Sequence, residues 1–168
     1  DVYKRQELPL ALAIIGVTEL ENVGSLLRSA AGFGIEHVLI GPQTADPFSR
    51  RVIRVSMANL FSLQLYRLER PVEQFTLIQK HRRVRCVATS LDRGATPLPR
   101  FVPDTRPTIL IVGNEASGLD REVLDCASDR VTIPMLPGID SLNVAVAGAV
   151  FMYGLSYSRA PRNGDAQP

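Results

Sequence analysis

Three segments of this chain place polar side chains in turns beside apolar runs, where they could hold or activate a ligand. The first, ENVGSLLRSAAGFG (21–34), sets Asn22 ahead of a helical pattern, Gly24 in its first turn and Arg28 one turn further on. Asn22 has two readings: a helix cap accepting a free backbone N–H, or a group that orients a ligand. Arg28 stands among Leu26, Leu27, Ala30 and Ala31, a cation on an apolar stretch, and calls for a partner. A guanidinium stays charged, so it suits stabilising a developing oxyanion better than removing a proton.

The second segment, GNEASGL (113–119), follows the apolar run TILIV (108–112). A strand that enters Gly113 and a turn that closes at Gly118 before a helix can offer backbone donors to a ligand. The Lys-Ser/Thr ending of a nucleoside triphosphate loop is missing, and so is the spacing of a dinucleotide fingerprint. Glu115 reads either as a solvated carboxylate near a helix or as a group that organises a site. The third segment, IPMLPGIDSLNVAVAGAVFMY (133–153), is broken by Pro134 and Pro137, with Gly138 free to take a positive φ. Ser141 reads as the N-cap of the last helix and Asn143 lies in its first turn, where free donors and a partial positive potential gather.

These turns need a scaffold. Strand patterns fall at 11–17, 35–40, 63–66, 84–89, 108–112 and 130–133. Helical patterns alternate with them at 23–33, 47–56, 72–81, 120–127 and 141–157. The alternation predicts an α/β domain with a mostly parallel sheet flanked by helices, and by itself it leads to an ordinary doubly wound sheet with ligands at the strand ends. Residues 91–107, with prolines at 97, 99, 103 and 107, read as an extended surface loop. The last helix is apolar nearly all round, which predicts burial and in part a subunit contact, while Ala145, Ala147 and Gly148 admit a second backbone closely.

The chain has 168 residues, 45% of them hydrophobic, enough for one domain with a true core. Net charge is only +2, yet 17 of the 19 basic residues are Arg, the side chain whose fork matches phosphate and stacks on bases. Cys86 and Cys126 lie far apart in sequence and read as reduced core thiols. His37 and His81 lack metal-ligand spacing, so no metal is expected. The longest apolar stretch, 142–155, is too short to span a bilayer, so the expected localisation is cytoplasmic. The first residue is Asp1 rather than Met, and DVYKRQ does not obviously belong to the first strand, which leaves room for an upstream domain. Residues 1–158 read as one domain and 159–168 as a disordered tail.

Together the three segments resemble, in order, the motifs of the SpoU/TrmH family of RNA ribose 2′-O-methyltransferases in the SPOUT superfamily, over roughly residues 11–157. Asn22, Gly24 and Arg28 fit its NxGxxxR pattern, and ATSLDRG (88–94) resembles its earlier cofactor loop. The resemblance implies a C-terminal trefoil knot, which no pattern rule would propose. It implies S-adenosylmethionine as methyl donor, held around Thr89, Ser90, Leu91, Gly113, Asn114, Gly118, Ile133 and Leu142. A ribose 2′-hydroxyl of tRNA or rRNA would be the acceptor. Arg28 would activate that hydroxyl, with Asn22, Glu115, Ser141 and Asn143 positioning it, and Gly24 would leave room for a nucleotide.

The resemblance also implies a homodimer with its site completed across the interface. The segment DPFSRRVIRVSMAN (46–59) resembles a family stretch, with Ala58 where Gly is usual, and favours RNA contact by Arg50, Arg51 and Arg54. Arg82, Arg83 and Arg85 form a second basic cluster that could grip phosphate or simply face solvent. Two other classes stay open: a catalytically silent RNA-binding relative, and a nucleotide-binding α/β enzyme acting on a small molecule.

Overall fold

The computed structural model describes residues 10–136, 138 and 141–158, with only the backbone of 157 and 158. The expectations for DVYKRQ, for Pro137 and for the 159–168 tail lie outside the described residues. In chain order the elements are β1 (Leu10–Ile14), α1 (Leu20–Gly32), β2 (His37–Ile40), α2 (Arg50–Val55), β3 (Gln64–Arg67), α3 (Pro71–Arg82), β4 (Arg85–Thr89), β5 (Thr96–Pro97), β6 (Thr108–Val112), α4 (Arg121–Cys126), β7 (Asp129–Thr132) and α5 (Val144–Ser158). The strands form one sheet in the order β3-β2-β1-β6-β4-β7-β5, and every pairing is parallel. The α/β architecture read from the alternation of patterns is the one the chain adopts.

Side chains alternate across the sheet as a pleated strand requires. Leu12 and Ile14 of β1, Leu110 and Val112 of β6 and Val87 of β4 enter one apolar cluster with α1, α2 and α5. Ala13, Ile109, Ile111, Cys86 and Ala88 enter the other, under α3 and α4. Strand β6, between β1 and β4, is buried at all five positions because both of its faces are covered. Burial pushes the Cys86 thiol up to about 12, with the nearby Cys126 adding to the shift, as suits an inert core cysteine. Among the described residues no helix is long and apolar enough to cross a membrane.

Element boundaries differ from the sequence reading where tertiary contacts intervene. Strand β1 stops at Ile14, not at 17, because Gly16 turns at φ +69° and donates to the Pro42 carbonyl. Helix α1 starts at Leu20, which puts Asn22 inside the first turn and leaves the capping position to Glu19. Helix α5 starts at Val144 rather than 141. The expected loop 91–107 holds the edge strand β5 and a 3-10 turn at Leu98–Arg100, and its Ala95 and Phe101 are buried. Arg85 at the start of β4 gathers that segment. Its guanidinium forks onto Asp129 (2.6 and 2.8 Å), donates to the Val102 carbonyl (3.1 Å) and lies 4.5 Å from the Phe101 ring centroid.

Candidate functional site

The GNEASGL turn is built by glycine and by one asparagine. A Cβ on Gly113 would come within 2.6 Å of the Gly118 backbone, and Gly118 itself sits at φ +71°, so both positions need glycine. Asn114 and Gly118 exchange backbone hydrogen bonds of 3.0 Å. The Asn114 Oδ1 accepts the N–H groups of Ala116 (2.8 Å) and Ser117 (3.0 Å), and its Nδ2 donates to the Gly16 carbonyl (2.7 Å). Asn114 therefore staples this loop to the one after β1, and its polar groups are engaged within the protein.

Glu115, at the tip, faces the first turn of α1. Asn22 Nδ2 donates to Glu115 Oε1 at 2.9 Å, and Asn143 Nδ2 donates to Asn22 Oδ1 at 2.9 Å. A single relay, Asn143 to Asn22 to Glu115, thus joins all three motifs across 121 and 93 residues of sequence. Asn143 also caps α5, its Oδ1 accepting from the N–H groups of Ala145 (2.9 Å) and Val146 (3.3 Å). This corrects the expectation for Ser141: the cap is Asn143, because the helix begins three residues later. Burial raises the Glu115 carboxyl, but donors from Asn22 and from the Glu115, Glu19 and Thr18 backbone outweigh it and hold it below its ordinary value.

Beside this relay the loops after β4, β6 and β7 and the start of α5 enclose a cleft of 270 Å³. Thr89, Ser90, Leu91, Gly113, Asn114, Gly118, Ile133 and Leu142 all line it, and so do Glu115 and Ser141. Leu124, Met135 and Phe151 complete its apolar wall, and the sequence reading missed them. Met135 and Phe151 lie within the third segment but are apolar and read as core, and Leu124 arrives from α4, outside all three segments. Two carboxylates, Asp92 and Glu115, and no Lys or Arg are found among the described lining residues. Arg130 of β7 braces the rim from behind: it donates to Asp125, to the Leu124 carbonyl (3.1 Å) and to Asp92 Oδ2 (3.4 Å). No group of three or more His, Cys, Asp or Glu that could hold a metal occurs among the described residues.

The SpoU rRNA Methylase family model matches residues 9–153, a span that includes all three motifs and the cleft between them. This chain belongs to that family. A tRNA/rRNA methyltransferase of Mycobacterium tuberculosis, itself uncharacterized, is 38% identical over 141 residues, covering 82% of this chain and 48% of that protein. The 23S rRNA (guanosine(2553)-2′-O)-methyltransferase RlmP of Bacillus subtilis is 33% identical over 144 residues, covering 86% of this chain and 56% of that one. The SpoU methyltransferase AviRb of Streptomyces viridochromogenes, solved with AdoMet, superposes with a TM-score of 0.82 at 29% identity, over 92% of this chain and 59% of that one. The chain spans about half the length of the curated relatives it matches.

Gly24, Arg28, Arg50, Arg51 and Arg54 are not among the described residues that line the cleft. Gly24 does not face a ligand space: a Cβ there would meet Val55 Cβ at 2.7 Å and the Val52 carbonyl at 3.2 Å, so it is the contact point of α1 with α2. Arg28 is exposed, and no hydrogen bond or ion pair to it is found among the described residues. Glu115 bonds Asn22 instead, about 9 Å back along the helix axis from Arg28 at 1.5 Å per residue. Arg50, Arg51 and Arg54 are exposed on α2, and Arg51 pairs with Glu21 at 2.8 Å. Ala58 has φ +60°, the left-handed conformation that explains why glycine is usual there. In the second basic cluster Arg82 and Arg83 are exposed, but Arg85 is consumed by Asp129 and has no fork left for phosphate.

Proposed function

We propose that the chain is a catalytic domain that transfers a methyl group from S-adenosylmethionine to a ribose 2′-hydroxyl of RNA, tRNA or rRNA. The observation that carries this reading is the cleft's charge. Among the described lining residues, apolar walls, the carboxylates of Glu115 and of Asp92, the latter paired with Arg130 at the rim, and no Lys or Arg suit a cationic sulfonium with an amino group better than a triphosphate. The nucleotide-binding alternative is disfavoured on that ground. Relatives named as ribose 2′-O-methyltransferases and a structural neighbour solved with AdoMet support the same reading.

S-adenosylmethionine supplies an activated methyl on sulfur, which a single displacement transfers. The chain's part is alignment and charge. Thr89, Ser90, Leu91, Gly113, Gly118, Ile133 and Leu142 would hold the donor, with Asn114 keeping the loop in shape. The Asn143–Asn22–Glu115 relay fixes the ends of two helices and the GNEASGL tip relative to one another, so the acceptor meets a preorganised wall. Ser141, on the cleft, would orient the ribose. Arg28 would stabilise the oxygen as its proton leaves, from a position outside the relay.

That separation fits a site completed by a second copy of the chain. Helix α5 buries Ala145, Phe151, Met152 and Leu155, while Val146, Val150 and Tyr153 are exposed at i, i+4 and i+7. Such an apolar stripe is suited to a symmetric subunit contact. A trefoil knot is also part of the proposal. What supports it is that strand β7 lies beyond β4 from β6, whereas α5 packs back against α1. With a soluble RNA as substrate the setting would be the cytoplasm.

The test is incubation with methyl-labelled S-adenosylmethionine and total bacterial RNA, followed by digestion to nucleosides and mass spectrometry. Label in a 2′-O-methylnucleoside is the expected result. Label confined to bases, or no transfer by a folded protein that binds the donor, would contradict it; the second result would favour a silent RNA-binding relative.

A further inference from the structure

A second cleft, of 630 Å³, opens on the same rim of the sheet as the first, at the carboxyl ends of β2 and β3. Its walls are the loop 40–48 and residues 65–69, and nothing in the proposed methyl transfer uses it. Two aromatic rings line it, Phe48 from the loop and Tyr66 from β3, exposed by 57% and 47%. The core does not account for either ring, and exposing both to water forgoes the burial that aromatic residues ordinarily supply.

The Tyr66 ring and the backbone that carries Phe48 are held in place. The Tyr66 hydroxyl donates to Gln64 Oε1 (2.7 Å) and lies 3.2 Å from His37 Nδ1, and its ring leans on the His37 ring at 5.8 Å. The Phe48 N–H donates to Asp46 Oδ1 (2.9 Å). Thr44 ties the loop to β1 by donating to the Ile14 carbonyl (3.0 Å) and accepting from the Gly16 N–H (3.1 Å). Gly16 is also the residue that receives Asn114 Nδ2, so this cleft and the GNEASGL loop are braced on one segment.

Charge points to the occupant. Among the described lining residues the charged groups are Asp46, Glu69 and Arg67, and Arg67 lies 3.5 Å from Glu69 in an exposed pair, so the lining carries no excess of positive charge. Two aromatic faces, with the second oxygen of the Asp46 carboxylate able to accept from an exocyclic amino group, match a nucleobase. Just outside, α2 begins two residues after Phe48 and exposes Arg50 and Arg54, donors suited to the backbone of the same strand. We infer that this cleft takes an unstacked base of the RNA substrate near the nucleotide being methylated, stacked on Phe48 and Tyr66, while α2 grips the adjoining phosphates. The inference rests on the RNA methyltransferase reading.

The test uses short random-sequence single-stranded RNA carrying 4-thiouridine, with wild type, Phe48→Ala, Tyr66→Ala and the ring-preserving Tyr66→Phe. Each substituted side chain is exposed, so folding should be preserved. Expected results are photocrosslinks on peptides containing Phe48 or Tyr66, about tenfold weaker RNA binding for each alanine variant, and near wild-type binding for Tyr66→Phe. S-adenosylmethionine affinity and subunit mass should not change. Unaltered RNA binding by the alanine variants, or crosslinks only at the 270 Å³ cleft, would overturn the inference and leave the methyltransferase reading standing. Alanine variants that change subunit mass would make this surface a subunit contact instead. A wild type that binds no S-adenosylmethionine would remove the reading on which the inference depends.

Discussion

Asn22 spends both ends of its amide inside the protein, giving to Glu115 and accepting from Asn143, and so cannot be replaced by a residue that does only one of these. Asn22→Ala leaves a carboxylate and an amide with lost partners and is expected to cost about 1–3 kcal/mol, read from the urea midpoint. Glu115→Gln tests the charge. Because hydrogen bonds hold the Glu115 carboxyl below its ordinary value in the folded protein, its contribution is complete above that ordinary value and is lost as pH falls through the folded one. The stability gap between wild type and Glu115→Gln should therefore be constant near neutrality and shrink in acid; parallel curves would count against the assignment. Ala58, held at φ +60°, gives a prediction of opposite sign: Ala58→Gly should raise stability by roughly 0.5–1 kcal/mol. All these residues were legible one at a time. Their mutual bonds were not, since spacing along a chain says nothing about partners 93 and 121 residues away.

At the level of elements, the alternation of strands and helices was readable from the pattern of short β-rich runs and helical runs, except for the two-residue edge strand β5, too short to carry a period. The ends were less so, and the third motif shows why. Ser141 and Asn143 are both good capping residues; in the fold Asn143 Oδ1 accepts the Ala145 and Val146 N–H groups while its Nδ2 is held by Asn22. Glycine in a helix was similarly ambiguous. A Cβ on Gly24 meets the Cβ of Val55 and a backbone carbonyl, which can yield only if α2 moves, whereas a Cβ on Gly148 meets the tip of the Leu26 side chain, which can rotate. Gly24→Ala should thus cost about 1–3 kcal/mol and Gly148→Ala less, a ranking that thermal melts can check. Arg130, absent from the sequence reading, ties Asp92 and Leu124 on the cleft rim. Arg130→Ala is expected to weaken S-adenosylmethionine binding several-fold with a smaller effect on the donor-saturated rate; an unchanged affinity would confine Arg130 to a structural role.

For the molecule as a whole, parallel strands direct their carboxyl ends to one rim, and both clefts open there, as open α/β sheets favour. The family was legible because three motifs occurred in order; the proposed knot was not, because hydrophobic pattern carries no information about threading. Subunit association is tested by Val150→Asp, which puts a charge into the exposed stripe of α5 and should turn a dimer into a monomer by sedimentation. The most direct single measurement is calorimetric titration of the chain with S-adenosylmethionine, set beside ATP and the Arg28→Ala variant. The account predicts saturable S-adenosylmethionine binding, retained by Arg28→Ala, and none for ATP, because the described cleft lining has carboxylates and no Lys or Arg. A folded protein that ignores S-adenosylmethionine, or that prefers ATP, would contradict it.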